Sequence, residues 1–189
     1  MRKKLFTHEQ LLEKTEELLL TYGYEKFHLK LLSMHLDGAR STIYSYYKNK
    51  EEIVSACMCN VMQRVLNQTN AVHTGNPLQD LWLLLMVYMQ ESDLHRLLKT
   101  IPDLKMHAST SIQENMRMLE VGHQKLKQKI VQLCTEAQQA GMLRPHLSPA
   151  IMSATFYALI DIPNVQVLET EQWAALLFDL WLNGTSLTS

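Results

Sequence analysis

Apolar residues recur every three or four positions along most of this chain, and no stretch alternates convincingly between apolar and polar residues. Residues that cap or end helices divide this pattern into segments. Thr7 with Gln10 opens a first amphipathic helix that Gly23 ends, and Asn49 with Glu52 opens a longer one. The sequence therefore predicts an all-α fold.

Two short helices are predicted between these capped segments, over about residues 28–35 and 39–46, with a break at residues 36–38. The second short helix is followed at once by the longer helix that has its own cap. This arrangement is typical of a helix-turn-helix motif, which places its second helix in the major groove of DNA. The pattern therefore indicates a DNA-binding head at the start of the chain.

Five further helices are predicted beyond the second capped segment. The strongest pattern lies between Ile112 and Ala140, where the apolar positions are spaced alternately by four and three residues. This spacing predicts one long helix with a single buried seam, which Gly141 ends. The five segments cover about residues 77–90, 93–100, 112–140, 149–162 and 170–183. The chain thus has about nine predicted helices.

Side chains suited to DNA are concentrated on the second short helix and at its ends. Arg40 can form paired hydrogen bonds with a guanine edge or a phosphate, while hydroxyls and lysines suit phosphate oxygens. The basic arm of Arg2, Lys3 and Lys4 is either a further DNA contact or a solvated terminus. The predicted DNA-binding residues are Lys30, Arg40, Ser41, Thr42, Tyr44, Ser45, Tyr46, Lys48 and Lys50.

The tyrosines also allow a second interpretation, in which Tyr44, Tyr46 and Tyr47 only pack the core and the helix pair is an ordinary αα-hairpin. That interpretation leaves unexplained why so short a segment carries three tyrosines, Arg40 and flanking lysines immediately before a capping box. We therefore favour the DNA-binding hypothesis.

The block from Ser41 to Ile53, STIYSYYKNKEEI, resembles the TetR/AcrR family of transcriptional regulators, whose usual sequence at this place is close to GxLYxYFxxKEEL. The resemblance extends over about residues 7–56 and includes Gly23, Tyr24 and Leu29. It implies an all-α homodimer with a three-helix DNA-binding head and a larger helical body that binds a small ligand. On this basis we expect a DNA-binding domain at residues 1–56 and a ligand-binding and dimerisation domain at residues 57–189.

The turn of the motif departs from the family pattern. Asp37, Gly38 and Ala39 stand where family members usually have glycine, a small aliphatic residue and serine. Asp37 and Gly38 still suit a left-handed turn, but Ala39 removes a helix cap and a phosphate contact. The resemblance implies a repressor that a small molecule releases from operator DNA. The departures motivate the alternative of a protein-interaction factor with weak or lost DNA binding.

A histidine interrupts the apolar seam of the long helix. His123 is therefore expected to face the interior, either as a ligand contact or as a core histidine bonded to a neighbour. Met, Trp and Tyr residues at helical spacing similarly fit either an apolar pocket or ordinary core. The predicted ligand-binding residues are Trp82, Met86, Met89, Met116 and His123, with Tyr88 as a further candidate, and the effector is expected to be largely apolar.

The last two predicted helices are candidates for pairing between two copies of the chain. Alanines spaced by four residues permit close helix approach, and large apolar residues supply area to bury. The alternative is that both helices only close the core of one subunit. The predicted dimer-interface residues are Ala150, Ala154, Ala158, Trp173, Leu177 and Trp181.

Composition and charge narrow the function classes. The formal net charge is −1, so DNA contact has to come from local placement of charge, and residues 1–56 carry nine Lys/Arg against eight Asp/Glu. No nucleophile motif, phosphate loop or paired carboxylates point to an enzyme, and no cofactor is expected. The apolar run Leu81 to Met89 is too short to span a membrane and predicts a buried helix.

The cysteines and histidines do not form a metal site. Cys57, Cys59 and Cys134 contain no CxxC pair, and the histidines at positions 95, 107 and 123 lack the close spacing of metal ligands. We interpret the cysteines as reduced thiols, as expected of a cytoplasmic protein.

Overall fold

The computed structural model describes residues 6–36, 40–99 and 109–185, and this part of the chain contains nine α-helices and a short 3-10 turn at Leu159–Asp161. The all-α prediction is confirmed. Three parts of the chain that the sequence analysis used lie outside the described residues. They are residues 37–39, which include most of the predicted break at 36–38, the basic arm at 2–4 and the histidine at 107. The helices are α1 (His8–Lys26), α2 (Leu29–His35), α3 (Arg40–Tyr46), α4 (Lys50–Ala71), α5 (Pro77–Gln90), α6 (Ser92–Lys99), α7 (Thr110–Gln139), α8 (Pro149–Ala158) and α9 (Thr170–Thr185).

The first helix begins with the predicted capping box. The Thr7 hydroxyl accepts from the Gln10 amide, and the Gln10 side chain accepts from the Thr7 amide at 2.8 Å. Gly23 breaks the regular helix with a φ of 76°, a left-handed value that suits glycine. The chain then resumes a helical turn, so α1 ends at Lys26 and not at Gly23. Tyr22, directly before this glycine, is 42% exposed.

The first of two compact units consists of Met1–Gln63 and Asp93–Glu120. Its core joins buried residues of α1 to α4 with two leucines of α6, Leu94 and Leu98. The head therefore packs against residues from outside the segment 1–56. The fully buried side chains of this core include Leu18, Leu19, Phe27, Leu32, Ile43 and Ile53.

The second unit consists of Arg64–Ser92 and Val121–Ser189. Within it α9 packs against α5 and α8, and α5 also packs against the 3-10 turn. Aromatic rings of α8 and α9 meet edge to face, with 5.2 Å between the centroids of Phe156 and Trp181. Trp181 Nε1 donates to the Met152 carbonyl at 3.2 Å and to the Thr155 hydroxyl at 3.1 Å. The core of this unit is thus largely apolar. The indole donor of Trp181 is satisfied, whereas that of Trp173 has no partner within the described residues.

The long helix α7 has the predicted seam. Along it Ile112 and Leu119 are buried in the first unit, and Leu126 and Ile130 are buried in the second. The helix ends at Gln139, so Ala140, at the end of the predicted seam, is exposed. The final turn closes at a glycine with a φ of 71°, as the sequence predicted.

The most apolar run of the chain lies in α5, where Leu81, Leu84, Leu85, Tyr88 and Met89 are buried and the intervening residues are half-buried. This matches the buried helix that the sequence predicted. None of the helices in the described ranges is long and apolar enough to cross a membrane.

Replacing Asp80 by alanine tests a polar contact near the start of α5. Asp80 is 3% exposed, and its Oδ1 accepts from the amide of Thr74 at 2.8 Å and from its hydroxyl at 2.7 Å. Losing both bonds should lower the free energy of unfolding by about 1–3 kcal/mol, measured by urea denaturation. Asp93→Ala, at an exposed ion pair with Arg96, should change it by less than about 1 kcal/mol. Equal losses in both variants would contradict this account.

Candidate nucleic-acid interface

The helix α3 has one buried side. Of its seven residues only Ile43 is buried, and Tyr47 directly after the helix is 9% exposed. Arg40, Ser41, Tyr44 and Ser45 are exposed, and Thr42 and Tyr46 are half-buried. The helix therefore lies on the head through Ile43 and presents its polar side to solvent.

An open groove of about 430 Å³ lies beside the exposed side of α3. It is formed by the start of α2, by α3 and by the segment leading into α4. Half of its lining residues are lysine or arginine, which gives the groove a positive potential suited to phosphate. The lining residues are His28, Leu29, Lys30, Arg40, Tyr44, Lys48, Asn49 and Lys50.

The start of α2 is capped by a histidine. The His28 Nδ1 atom accepts from the Leu31 amide at 2.9 Å. This bond fixes the N-terminal turn of α2, from which Lys30 extends into solvent. Lys30 is therefore placed at the groove by a capped helix start.

Arg40 is held by the residue one turn further along α3. Its Nη2 lies 3.3 Å from the Tyr44 hydroxyl, and its guanidinium carbon lies 5.4 Å from the centre of the Tyr44 ring. These contacts restrict the arginine to the exposed side of α3. Pairing with a guanine or a phosphate then requires less ordering of the side chain.

The hydroxyl residues of α3 differ in their availability. Ser45 Oγ donates to the Thr42 carbonyl at 2.7 Å, which occupies its proton within the helix. Ser41 and Tyr44 are exposed, whereas the Tyr46 ring lies 5.4 Å from that of His8. The structure thus places Ser41, Tyr44 and Arg40 foremost among the predicted contacts of α3.

A residue that the sequence interpretation did not single out fixes the end of α3. His8 of α1 lies with its Nε2 atom 2.7 Å from the Tyr47 hydroxyl. Burial raises the pKa of Tyr47 to about 12, so its phenol stays protonated at neutral pH and can donate to the imidazole. No spacing in the sequence connects His8 with Tyr47, because the two residues meet only when α1 packs beside α3.

The start of α4 has the predicted capping pair in a modified form. Asn49 Oδ1 accepts from the Glu52 amide at 2.9 Å, and Glu52 Oε2 accepts from the Lys48 amide at 2.8 Å. The capping box predicts a return bond to the Asn49 amide, and here the carboxylate reaches the preceding amide. The Lys48 amide is the main cause of a lowered pKa at Glu52. The backbone that carries Lys48 is thereby fixed.

The lysines beside the groove have different surroundings. Lys48 is exposed, while the Lys50 ammonium lies 3.7 Å from the centre of the Tyr24 ring in a cation–π contact. Tyr24 in turn lies 3.5 Å from the Glu51 carboxylate. Lys50 therefore needs to leave the tyrosine before it can reach a phosphate.

Residues 11–57 match the family model for bacterial regulatory proteins of the tetR family. The matched segment contains α2, α3 and the basic residues of the groove. This segment is therefore a helix-turn-helix DNA-binding domain of the tetR-family type, and the match supports a transcriptional regulator of that family. A search of curated proteins finds no match.

The fold of the whole chain is that of solved TetR-family structures. A TetR/AcrR regulator from Thermobifida fusca has a TM-score of 0.72 at 20% identity, over 93% of this chain and 96% of that one. A putative regulator from Saccharomonospora viridis in complex with choline has a TM-score of 0.76 at 15% identity, over 94% and 96%. AibR in complex with isovaleryl coenzyme A and operator DNA has a TM-score of 0.66 at 18% identity, over 91% and 96%.

The predicted ligand residues are divided between the two units. Trp82, Met86, Met89 and His123 lie in the second unit, whereas Met116 lies in the first. Met89 is buried and the other four are half-buried. Their assignment to a ligand pocket remains a prediction.

Three of the candidate ligand residues have described ring contacts. His123 meets the ring of Tyr157 at 6.5 Å in an edge-to-face contact, and Tyr88 meets the same ring at 6.4 Å. Trp82 meets Phe178 at 5.6 Å, within the aromatic core. His123 and Tyr88 thus lie beside another polar ring, whereas Trp82 lies beside an apolar one.

The residues predicted for the dimer interface differ in how exposed they are. The alanines at positions 150, 154 and 158 are exposed on α8, and Trp173 is half-buried. Leu177 and Trp181 are 4% and 5% exposed, so both pack inside the subunit. The sequence interpretation did not select Leu180 for the interface, although it is exposed on the same helix. The large exposed apolar residues of α8 and α9 are Ile151, Leu176 and Leu180.

Replacing Glu52 by glutamine tests the cap of α4. Because the pKa of Glu52 is lowered from 4.5 in the folded protein, its charge stabilises the fold above that pH, and this contribution is lost as pH falls through the folded-state pKa. Unfolding free energies should differ by about 1 kcal/mol at about pH 7 and converge in acid.

The matched control for this experiment is Glu120→Gln, which changes an exposed glutamate of α7. It should leave the free energy of unfolding within about 0.5 kcal/mol of the unmodified protein at both pH values. A difference for Glu52→Gln that persists in acid would show that the charge of Glu52 does not act at this cap.

Proposed function

We propose that this TetR-family regulator is a homodimeric repressor that binds operator DNA through α3 and leaves it when a small molecule binds the second unit. The observation that carries the proposal is the basic groove beside the exposed side of α3. Lysines at positions 30 and 48 flank Arg40 there. This is the charge placement expected of a helix that enters the major groove between two phosphate strands.

The side chains of α3 have distinct proposed roles. Arg40, pre-ordered by Tyr44, supplies the base contact, because a guanidinium matches the two acceptors of a guanine edge. Lys30 and Lys48 supply phosphate contacts that set affinity and salt dependence. The hydroxyl of Ser41 serves the sugar-phosphate backbone. The net charge of the chain, −1, does not oppose this, since the positive charge is local.

Dimerisation is proposed through α8 and α9. Both helices keep exposed apolar residues, with Leu180 67% exposed and Ile151 58% exposed. The exposed alanines spaced by four residues on α8 permit close approach of a second helix. A two-fold contact between these helices would bury the same surface on both copies and form a four-helix interface. It would also present two heads to successive major grooves.

Two observations support release from DNA by a small molecule: the ligands of solved structures with a similar fold, and the polar side chains of the second unit. One neighbour of the same fold is described with choline, and another with both isovaleryl coenzyme A and operator DNA. In this chain the polar rings of His123 and Tyr157 meet within the second unit. A molecule that binds better to the DNA-free arrangement of the dimer would shift the equilibrium away from the operator. We place this regulator in the cytoplasm, where its DNA lies.

The alternative function is a protein-interaction factor that keeps the fold with weak DNA binding. Two contacts favour it, that of Lys50 with Tyr24 and the hydrogen bond of Ser45 to the Thr42 carbonyl. Both reduce the number of side chains that are available to contact DNA. The deciding experiment is a gel shift with the pure dimer on DNA next to its own gene. Saturable, salt-sensitive binding supports the repressor, and no binding at low salt supports the alternative.

Substituting the groove residues should separate base contact from phosphate contact. Arg40→Ala should weaken operator binding by about 1–3 kcal/mol and binding to unrelated DNA less. Lys48→Ala should weaken both equally and lower the salt slope by about one per subunit. Fluorescence anisotropy across a salt series measures both quantities. Lys127→Ala, at an exposed lysine of α7, is the control and should change neither.

Introducing a charge on α9 should separate the subunits. Leu180→Glu places a carboxylate at the centre of the proposed interface, where burial of an unpaired charge opposes association. Light scattering after size-exclusion chromatography should show a monomer that retains its helical circular dichroism. Leu20→Glu makes the same change at a leucine 49% exposed on α1 and should leave the dimer intact. A dimer that persists in Leu180→Glu would place the interface elsewhere.

A further inference from the structure

A buried hydroxyl in the second unit has no partner within the described residues. Tyr88 of α5 is 4% exposed, and its Oη atom makes no hydrogen bond there. An unsatisfied buried hydroxyl destabilises the folded state, so such groups are rare in folded proteins and call for an explanation. Burial raises the pKa of Tyr88 well above its ordinary value, so the phenol stays protonated and acts as a donor.

A second unsatisfied hydroxyl lies on the helix that faces Tyr88. Ser153 of α8 is fully buried, and its Oγ atom also lacks a partner. Ser153 lies one helical turn before Tyr157, so the two side chains share a face of α8. The ring of Tyr157 is 6.4 Å from that of Tyr88 and 6.5 Å from that of His123. Tyr157 therefore forms one group with three other polar side chains, which come from α5, α7 and α8.

The charges of the second unit limit what this group can bind. Among the described residues of this unit, the buried side chains include no lysine or arginine, and the one buried carboxylate, that of Asp80, is bonded to Thr74. An anionic group would be buried there without a cation to pair with it. A quaternary ammonium has no acceptor for the two hydroxyl protons and would leave both donors unsatisfied. An uncharged oxygen acceptor satisfies these donors without burying a charge.

We propose that Tyr88, Ser153, Tyr157 and His123 form the recognition site for an uncharged, mainly apolar ligand that bears a carbonyl or hydroxyl oxygen. Tyr88 and Ser153 donate to this oxygen, and the surrounding apolar side chains of α5 and α8 contact the hydrocarbon part of the ligand. Tyr157 and His123 are half-buried and connect the group with the surface. The inference rests on the proposed function, since it defines the class of effector that the regulator senses.

Four probes of similar size and different head groups test this ligand class by calorimetric titration of the unmodified protein. They are benzylacetone, butylbenzene, phenylbutyrate and benzyltrimethylammonium. Benzylacetone is expected to bind most tightly, because it alone combines an uncharged oxygen acceptor with an apolar body. Binding of the charged probes that equals or exceeds that of benzylacetone would overturn the proposal. So would benzylacetone binding no tighter than butylbenzene, or absence of binding by all four.

The variant Tyr88→Phe tests the residue assignment. It removes only the hydroxyl and should weaken benzylacetone binding about tenfold, the loss of about one hydrogen bond, while butylbenzene binding is unchanged. The ligand-free variant should be at least as heat-stable as the unmodified protein, because an unsatisfied donor has been removed. A clear loss of stability with unchanged benzylacetone affinity would show a purely structural hydroxyl and overturn the proposal. Tyr22→Phe, at an exposed tyrosine, is the matched control.

The result is separable from the proposed function, because ligand titration does not require DNA. Benzylacetone binding that depends on Tyr88, together with no operator binding, would remove the repressor proposal and keep this site. Operator binding that is intact, together with no benzylacetone binding, would remove the site and keep the regulator.

Discussion

Burial of Ile43 is the interaction on which the DNA-binding head depends. A seven-residue helix is too short to be stable in isolation, so α3 has to be held by tertiary packing. Ile43 supplies the buried side chain of that helix, and it packs in the core that also contains Phe27, Leu32 and Ile53. Every exposed side chain of α3 takes its direction from this one contact.

Polar contacts at both ends of α3 complete its placement. After the helix, Tyr47 is fixed by His8, and the next helix starts at a cap in which Glu52 accepts from the Lys48 amide. At its start Arg40 is restrained by Tyr44. The chain between Ile43 and Glu52 therefore has little conformational freedom, which reduces the ordering required when DNA binds.

The second unit combines satisfied and unsatisfied polar groups in one apolar core. Trp181 and Asp80 have hydrogen-bond partners, as buried polar groups ordinarily do. The hydroxyls of Tyr88 and Ser153 have none within the described residues. Because the contrast occurs inside one well-packed unit, we interpret the unsatisfied pair as groups arranged for a ligand. The exposed apolar residues of α8 and α9 lie outside this core, on the surface that we propose for dimerisation.

The sequence alone determined the helices, their caps and the chemistry of α3, because these depend on neighbours within one or two helical turns. Thr7 with Gln10 and the glycine at 141 marked helix ends correctly, and the block after Ser41 identified the family domain. The tertiary structure decided which residues that are far apart in the sequence come into contact. It joined Leu94 of α6 to the head core and His8 to the end of α3.

Helical periodicity also left one choice open on α9. Leu177 and Leu180 are three residues apart and therefore lie on one side of the helix, and the structure buries the first and exposes the second. The spacing shows which residues share a face of a helix, but neighbouring helices decide which part of a broad apolar face the same chain covers. The unsatisfied hydroxyl of Tyr88 could not be predicted for the same reason. Whether a buried hydroxyl has a hydrogen-bond partner depends on the helices that pack around it.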